Sequence, residues 1–102
     1  MIVVRTVFQT KWGKAQEVVA GFIKSGEAAQ KILGQSIRAR IMTDLSGPFH
    51  TVVQEIELEN LAAWESIRSQ MFSSQEFQQS QSNIDQYLEG GYTEYFTLEK
   101  TF

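Results

Sequence analysis

The spacing of apolar residues along this chain switches between alternation and a three-to-four-residue period. It spells strand, helix, strand, strand, helix, strand. That order describes a split βαβ unit, in which one antiparallel sheet carries both helices on a single face. The two periodicities cannot substitute for one another, because each aligns its apolar side chains only in its own backbone geometry. An α+β, ferredoxin-like βαββαβ fold is therefore expected.

Ile2 to Gln9 is rich in β-branched residues and reads as a strand covered on both sides. Lys11-Trp12-Gly13 turns the chain. From Lys14, residues Ala15, Val18, Val19, Phe22, Gly26, Ala29 and Leu33 share one helical stripe, and Gly34 stands where a left-handed C-cap belongs. Ser36 to Thr43 alternates again, with Ile37, Ala39 and Ile41 on one side and Arg38, Arg40 and Met42 on the other. Asp44-Leu45-Ser46-Gly47-Pro48 has turn chemistry, and Phe49 to Leu58 reads as the partner strand. Setting Asp44 opposite Phe49 pairs Ile41 with Val52, Ala39 with Gln54 and Ile37 with Ile56. On the reverse face it pairs Arg38 with Glu55 and Arg40 with Val53.

Asn60 reads as the N-cap of the next helix, whose inner stripe is Leu61, Trp64, Ile67, Arg68 and Met71. Ser73 followed by Glu76 reads as a capping box, which breaks the helix at Phe72 and restarts it. Phe77, Ile84, Tyr87 and Leu88 anchor the Gln- and Ser-rich second segment. Gly90-Gly91 is expected to stop it, with Tyr92 to Phe102 as the last strand. Without a linker or repeat, residues 1–102 read as one ferredoxin-like domain.

Composition narrows the function classes. A net charge of −3 and a pI near 5.1 do not suit a nucleic-acid partner, which calls for clustered Lys and Arg. With no cysteine, disulfides, thiolate metal sites and a cysteine nucleophile are excluded. No apolar run approaches the roughly 20 residues of a membrane span, and Met1 to Thr10 lacks the pattern of a signal peptide. A cytoplasmic protein with no membrane partner, metal or cofactor is expected. There is no G-x-S-x-G, P-loop, G-x-G-x-x-G or H-E-x-x-H motif.

With both helices on one face, the opposite sheet face holds Val3, Val7, Met42, Phe49 and Val53 among Arg5, Arg38, Arg40, Thr51 and Glu55. At about 25 cal/mol per Å2 of apolar area, leaving such a face wet forgoes several kcal/mol. Pairing with a second copy, sheet to sheet, would cover it. A homodimer is expected.

The run Phe49-His50-Thr51-Val52-Val53-Gln54-Glu55-Ile56-Glu57-Leu58-Glu59-Asn60-Leu61-Ala62-Ala63-Trp64 is joined by Phe77 and by Gly90-Gly91-Tyr92-Thr93-Glu94-Tyr95. Together they resemble the NIPSNAP-like branch of the dimeric α/β-barrel superfamily, which includes antibiotic biosynthesis monooxygenases and haem-degrading enzymes. The resemblance implies two ferredoxin-like protomers forming a shared barrel, with a ligand pocket between sheet and helices. His50, Gln54 and Ile56 stand where NIPSNAP-type strands tend to have Asn, His and Trp. Haem-degrading relatives ligate iron through a histidine on the second helix, and no histidine occurs between Asn60 and Leu88.

His50 is the only histidine and the only side chain with an ordinary pKa near neutrality. With Gln54 it is the candidate catalytic or hydrogen-bonding pair, in a pocket walled by Phe22 and Trp64 for a small, flat organic ligand. The competing reading makes His50 a structural residue at a strand end and Trp64 a core aromatic, like Tyr92 and Tyr95. Arg5, Arg38, Arg40 and Glu55 read either as an anion site inside the barrel or as ion pairs fixing strand register. Two functions are compatible with these residues. One is an uncharacterised small-ligand-binding homodimer; the other is a cofactor-independent, monooxygenase-like enzyme acting on an aromatic or polyketide-like substrate.

Overall fold

The most apolar strands lie at the centre of the sheet. The computed structural model describes residues 1–34, 38–47 and 49–102. Its seven elements are β1 (Ile2–Thr10), α1 (Ala15–Leu33), β2 (Arg38–Thr43), β3 (Thr51–Leu58), α2 (Leu61–Phe72), α3 (Gln75–Asp85) and β4 (Leu88–Thr97). The strands form one antiparallel sheet in the order β2-β3-β1-β4, the arrangement of a ferredoxin-like fold.

The helices cover the face that carries Ile2, Val4, Phe8, Ile41, Val52 and Ile56. Val18 and Phe22 of α1 meet Val52 of β3 and Ile84 of α3, flanked by Phe8 and Ile41. Val4, Ile56 and Leu58 pack under Trp64 and Ile67 of α2. Ala29, Met71 and Phe77 join α1, α2 and α3 to each other. The split of the second helix follows the sequence reading. Gly34 closes α1 with φ 66°, the left-handed cap that glycine adopts without steric cost.

Four local expectations are corrected. The hairpin register is offset by two residues: Arg38 faces Glu57, Ala39 faces Ile56, Arg40 faces Glu55 and Ile41 faces Gln54. Asp44 closes the ladder on Thr51 instead of Phe49, accepting the Thr51 N–H on its carboxylate at 2.9 Å and donating its own N–H to the Thr51 carbonyl at 3.3 Å. A slip of two leaves every side chain on its expected face, because the strand period is two. Ile37, expected opposite Ile56, lies outside the described residues, as does Pro48.

β3 starts at Thr51, so Phe49 and His50 belong to the loop. His50 has φ 59°, a left-handed conformation outside the regular strand region. The cap of α3 is Ser74, not Ser73: Ser74 Oγ accepts from Phe77 N at 3.4 Å, while Ser73 still closes α2 through its N–H. Gly90-Gly91 does not end a helix. α3 stops at Asp85, and both glycines lie inside β4, which ends at Thr97. At Gly91 a β-carbon would stand 2.6 Å from the Val7 carbonyl oxygen, so the close approach of β4 to β1 admits only glycine.

Candidate functional site

β3 carries the residues that face the space between sheet and helices. On this face Ile41, Gln54, Thr6 and Thr93 stand in one row across the four strands, and Ala39, Ile56, Val4 and Tyr95 in the next. The first row is polar from Gln54 to Thr93, and the hydroxyls of Thr6 and Thr93 lie 3.4 Å apart. A half-open cavity of about 520 Å3 lies between these rows and the helices, within the range of small-molecule sites. Its walls include Ile23 and Gly26 from α1, Trp64, Arg68 and Met71 from α2, Phe77 and Gln81 from α3, and Gln54 and Tyr95 from the sheet.

The helical period explains the α2 wall. Trp64, Arg68 and Met71 are separated by four and three residues and share one face of the helix. Asn60 sets where that helix starts, its side-chain oxygen accepting from Ala63 N at 2.8 Å. Gly26 leaves the α1 wall open, since a β-carbon there would meet nothing within 4 Å.

Of the four residues expected to form a pocket, the fold brings two together. Gln54 and Trp64 both line the cavity. Phe22 lies in the neighbouring core, 3% exposed, with its ring 4.8 Å from that of Phe8. His50 lies at the end of the sheet, where its ring packs edge-on against Trp12 at 4.5 Å, and it does not line the cavity. Two ring nitrogens, His50 Nε2 and Trp64 Nε1, are buried with no hydrogen-bond partner among the described residues. Trp64 is both wall and core, because it also packs on the Val4–Ile56 and Met71–Phe77 clusters. Tyr92 and Tyr95, read as core aromatics, are 58% and 51% exposed.

The opposite sheet face carries a row of alternating charge through all four strands: Arg40, Glu55, Arg5 and Glu94. Glu55, buried in the middle, accepts from Arg40 Nε at 2.7 Å and from Arg5 Nη1 at 3.1 Å. Arg38 pairs with Glu57 at 3.0 Å one row away. Met42, Val53, Val7 and Tyr92 make up the apolar row beside it. Among the described residues no group of three or more His, Asp or Glu side chains is placed to hold a metal ion. No helix among them is long and apolar enough to cross a membrane.

The fold as a whole recurs in solved structures. The fold is that of the NIPSNAP-domain structures. An uncharacterised NIPSNAP domain protein from Burkholderia xenovorans superposes with a TM-score of 0.81 at 21% identity, over 96% of this chain and 94% of that one. A NIPSNAP family protein from Agrobacterium tumefaciens gives 0.82 at 18% identity, over 98% and 88%. SnoaB, a cofactor-independent oxygenase from Streptomyces nogalater, gives 0.71 at 12% identity, over 98% and 94%. The likeness thus extends to both branches of the sequence resemblance, NIPSNAP-like and monooxygenase-like. No protein-family model matches the chain, and no curated protein sequence matches it.

Proposed function

We propose that the chain works in the cytoplasm as a homodimer that binds a small organic molecule between its sheet and its helices. The observation that carries this reading is the 520 Å3 cavity, where an apolar helical wall of Trp64, Met71 and Phe77 faces the amide of Gln54. An apolar body with few polar contacts is the chemistry such a lining accepts. The dimer rests on the other sheet face. Met42 is 37% exposed, Tyr92 58% and Phe96 47%, beside a charge row that alternates in sign and can complement a rotated copy of itself.

Amide NMR spectra recorded with a set of small aromatic and aliphatic compounds test the cavity. Shifts grouped on Gln54, Trp64, Met71 and Phe77 are expected, and a set that leaves these four unmoved would sink the reading. Sedimentation equilibrium at micromolar concentration tests the dimer, and cell fractionation the location.

The second reading is a cofactor-independent oxygenase, favoured by the shared fold of SnoaB. In that chemistry the substrate anion itself reacts with oxygen, and the protein encloses it and handles protons. Of the candidate proton-handling pair, Gln54 lines the cavity and His50 does not. Oxygen uptake with small aromatic or polyketide-like compounds, abolished by Trp64→Ala, is the outcome this second reading requires.

A further inference from the structure

We infer that Arg68 makes the cavity a site for an apolar organic acid, its guanidinium meeting the ligand's carboxylate. This rests on reading the cavity as a small-molecule site. Arg68, with 47% of its side chain exposed, shares the cavity-lining face of α2 with apolar neighbours. It follows Trp64 by four residues and precedes Met71 by three, and all three line the cavity. Among the described residues its ionic partner is Glu65, one turn back on the same helix, at 3.8 Å and with 68% of that side chain exposed. So long and exposed a pair holds the guanidinium weakly. Among the described residues two other charged side chains line the cavity. Arg40 is committed to Glu55, and Glu27 lies on the exposed side of α1. Arg68 is thus the cation with bidentate capacity to spare, and a planar carboxylate matches its fork.

Its neighbours fix the rest of the ligand's chemistry. Trp64, Met71 and Phe77 accept an apolar body, and the amides of Gln54 and Gln81 can meet one neutral polar group on it. An inorganic anion would leave those apolar walls wet.

Calorimetric titration of the intact protein with 2-naphthoate, with 2-naphthalenemethanol and with sulfate alone tests this, alongside Arg68→Gln and Arg68→Lys. The acid is expected to bind about 10- to 100-fold more tightly than the alcohol, an advantage lost in Arg68→Gln and kept in part by Arg68→Lys. Circular dichroism checks that both variants keep the fold. Equal binding of acid and alcohol, unchanged by Arg68→Gln, overturns the inference and leaves the cavity reading intact. Sulfate displacing the acid at comparable concentration overturns the choice of an organic acid. If neither naphthalene compound binds, inference and cavity reading both fall.

Discussion

Gly21 of α1 lies so close to Ile84 of α3 that a β-carbon at Gly21 would stand 2.4 Å from Ile84 Cγ1. Ile84 is 1% exposed and locked in the Val18–Phe22–Val52 core, so it has nowhere to retreat. Gly21→Ala is expected to cost about 1–3 kcal/mol through overpacking, beyond the gain in helix propensity. Gly26, on the same helix, has open space at its β-carbon, and Gly26→Ala should stabilise by about 0.5–1 kcal/mol. Urea denaturation of the two variants should move the midpoint in opposite directions.

Glu55 is buried between two arginines of the neighbouring strands, whereas Arg38 of the Arg38–Glu57 pair has 81% of its side chain exposed. Glu55→Gln leaves two guanidinium groups without their counter-charge. The arginines are themselves 39% and 70% exposed, so solvent moderates the loss to about 1–3 kcal/mol. Arg38→Ala should cost less than about 0.5 kcal/mol. Thermal unfolding of both variants at low and moderate salt checks the ranking. Equal effects would show that burial of the carboxylate does not matter.

Substitutions on the open sheet face separate association from folding. Met42 and Tyr92 are 37% and 58% exposed and take little part in the protomer's own core. Met42→Asp and Tyr92→Lys should leave the circular dichroism spectrum unchanged. In the proposed homodimer, dissociation should nevertheless rise at least about tenfold, because each places an uncompensated charge against an apolar row. Sedimentation equilibrium reads the change, and a variant that stays as dimeric as the parent would argue for a different interface.

The N-caps of α2 and α3 should differ in strength. Asn60 Oδ1 accepts from Ala63 N at 2.8 Å, and Ser74 Oγ from Phe77 N at 3.4 Å. Asn60→Ala is expected to lose about 1 kcal/mol and Ser74→Ala about half that. The Asn60 variant should also weaken the ligand binding proposed for the cavity, since its helix carries Trp64, Arg68 and Met71. Denaturation curves and a binding titration on the same samples check both effects.

Much of this fold is legible in the residues because a face depends only on parity. The helix-side positions Val4, Phe8, Ile41, Val52 and Ile56 follow from alternation, and the two-residue slip in the hairpin displaced none of them. The register itself is not legible. It depends on a side-chain to backbone bond from Thr51 to Asp44 and on the left-handed turn at His50, and neither has a periodic signature. The same turn carries His50 away from Gln54, although alternation alone places the two on one strand. Gly90-Gly91 reads as a stop when only its neighbours in sequence are considered. Only the approach of Val7 from β1 makes glycine the residue that lets β4 continue.

Sequence alone determined the order of elements, the helix-side positions of β1 and β3 and the break near Phe72, and it offered Gln54 and Trp64 as pocket residues. These rest on local spacing, which repeats every two or 3.6 residues and needs no partner to be read. Tertiary structure alone decided that Arg68 and Tyr95 line that pocket, that His50 and Phe22 do not, and that Glu55 is clasped by two arginines. Each of these joins residues from different elements, and the distance between elements is set by packing, which no local period encodes.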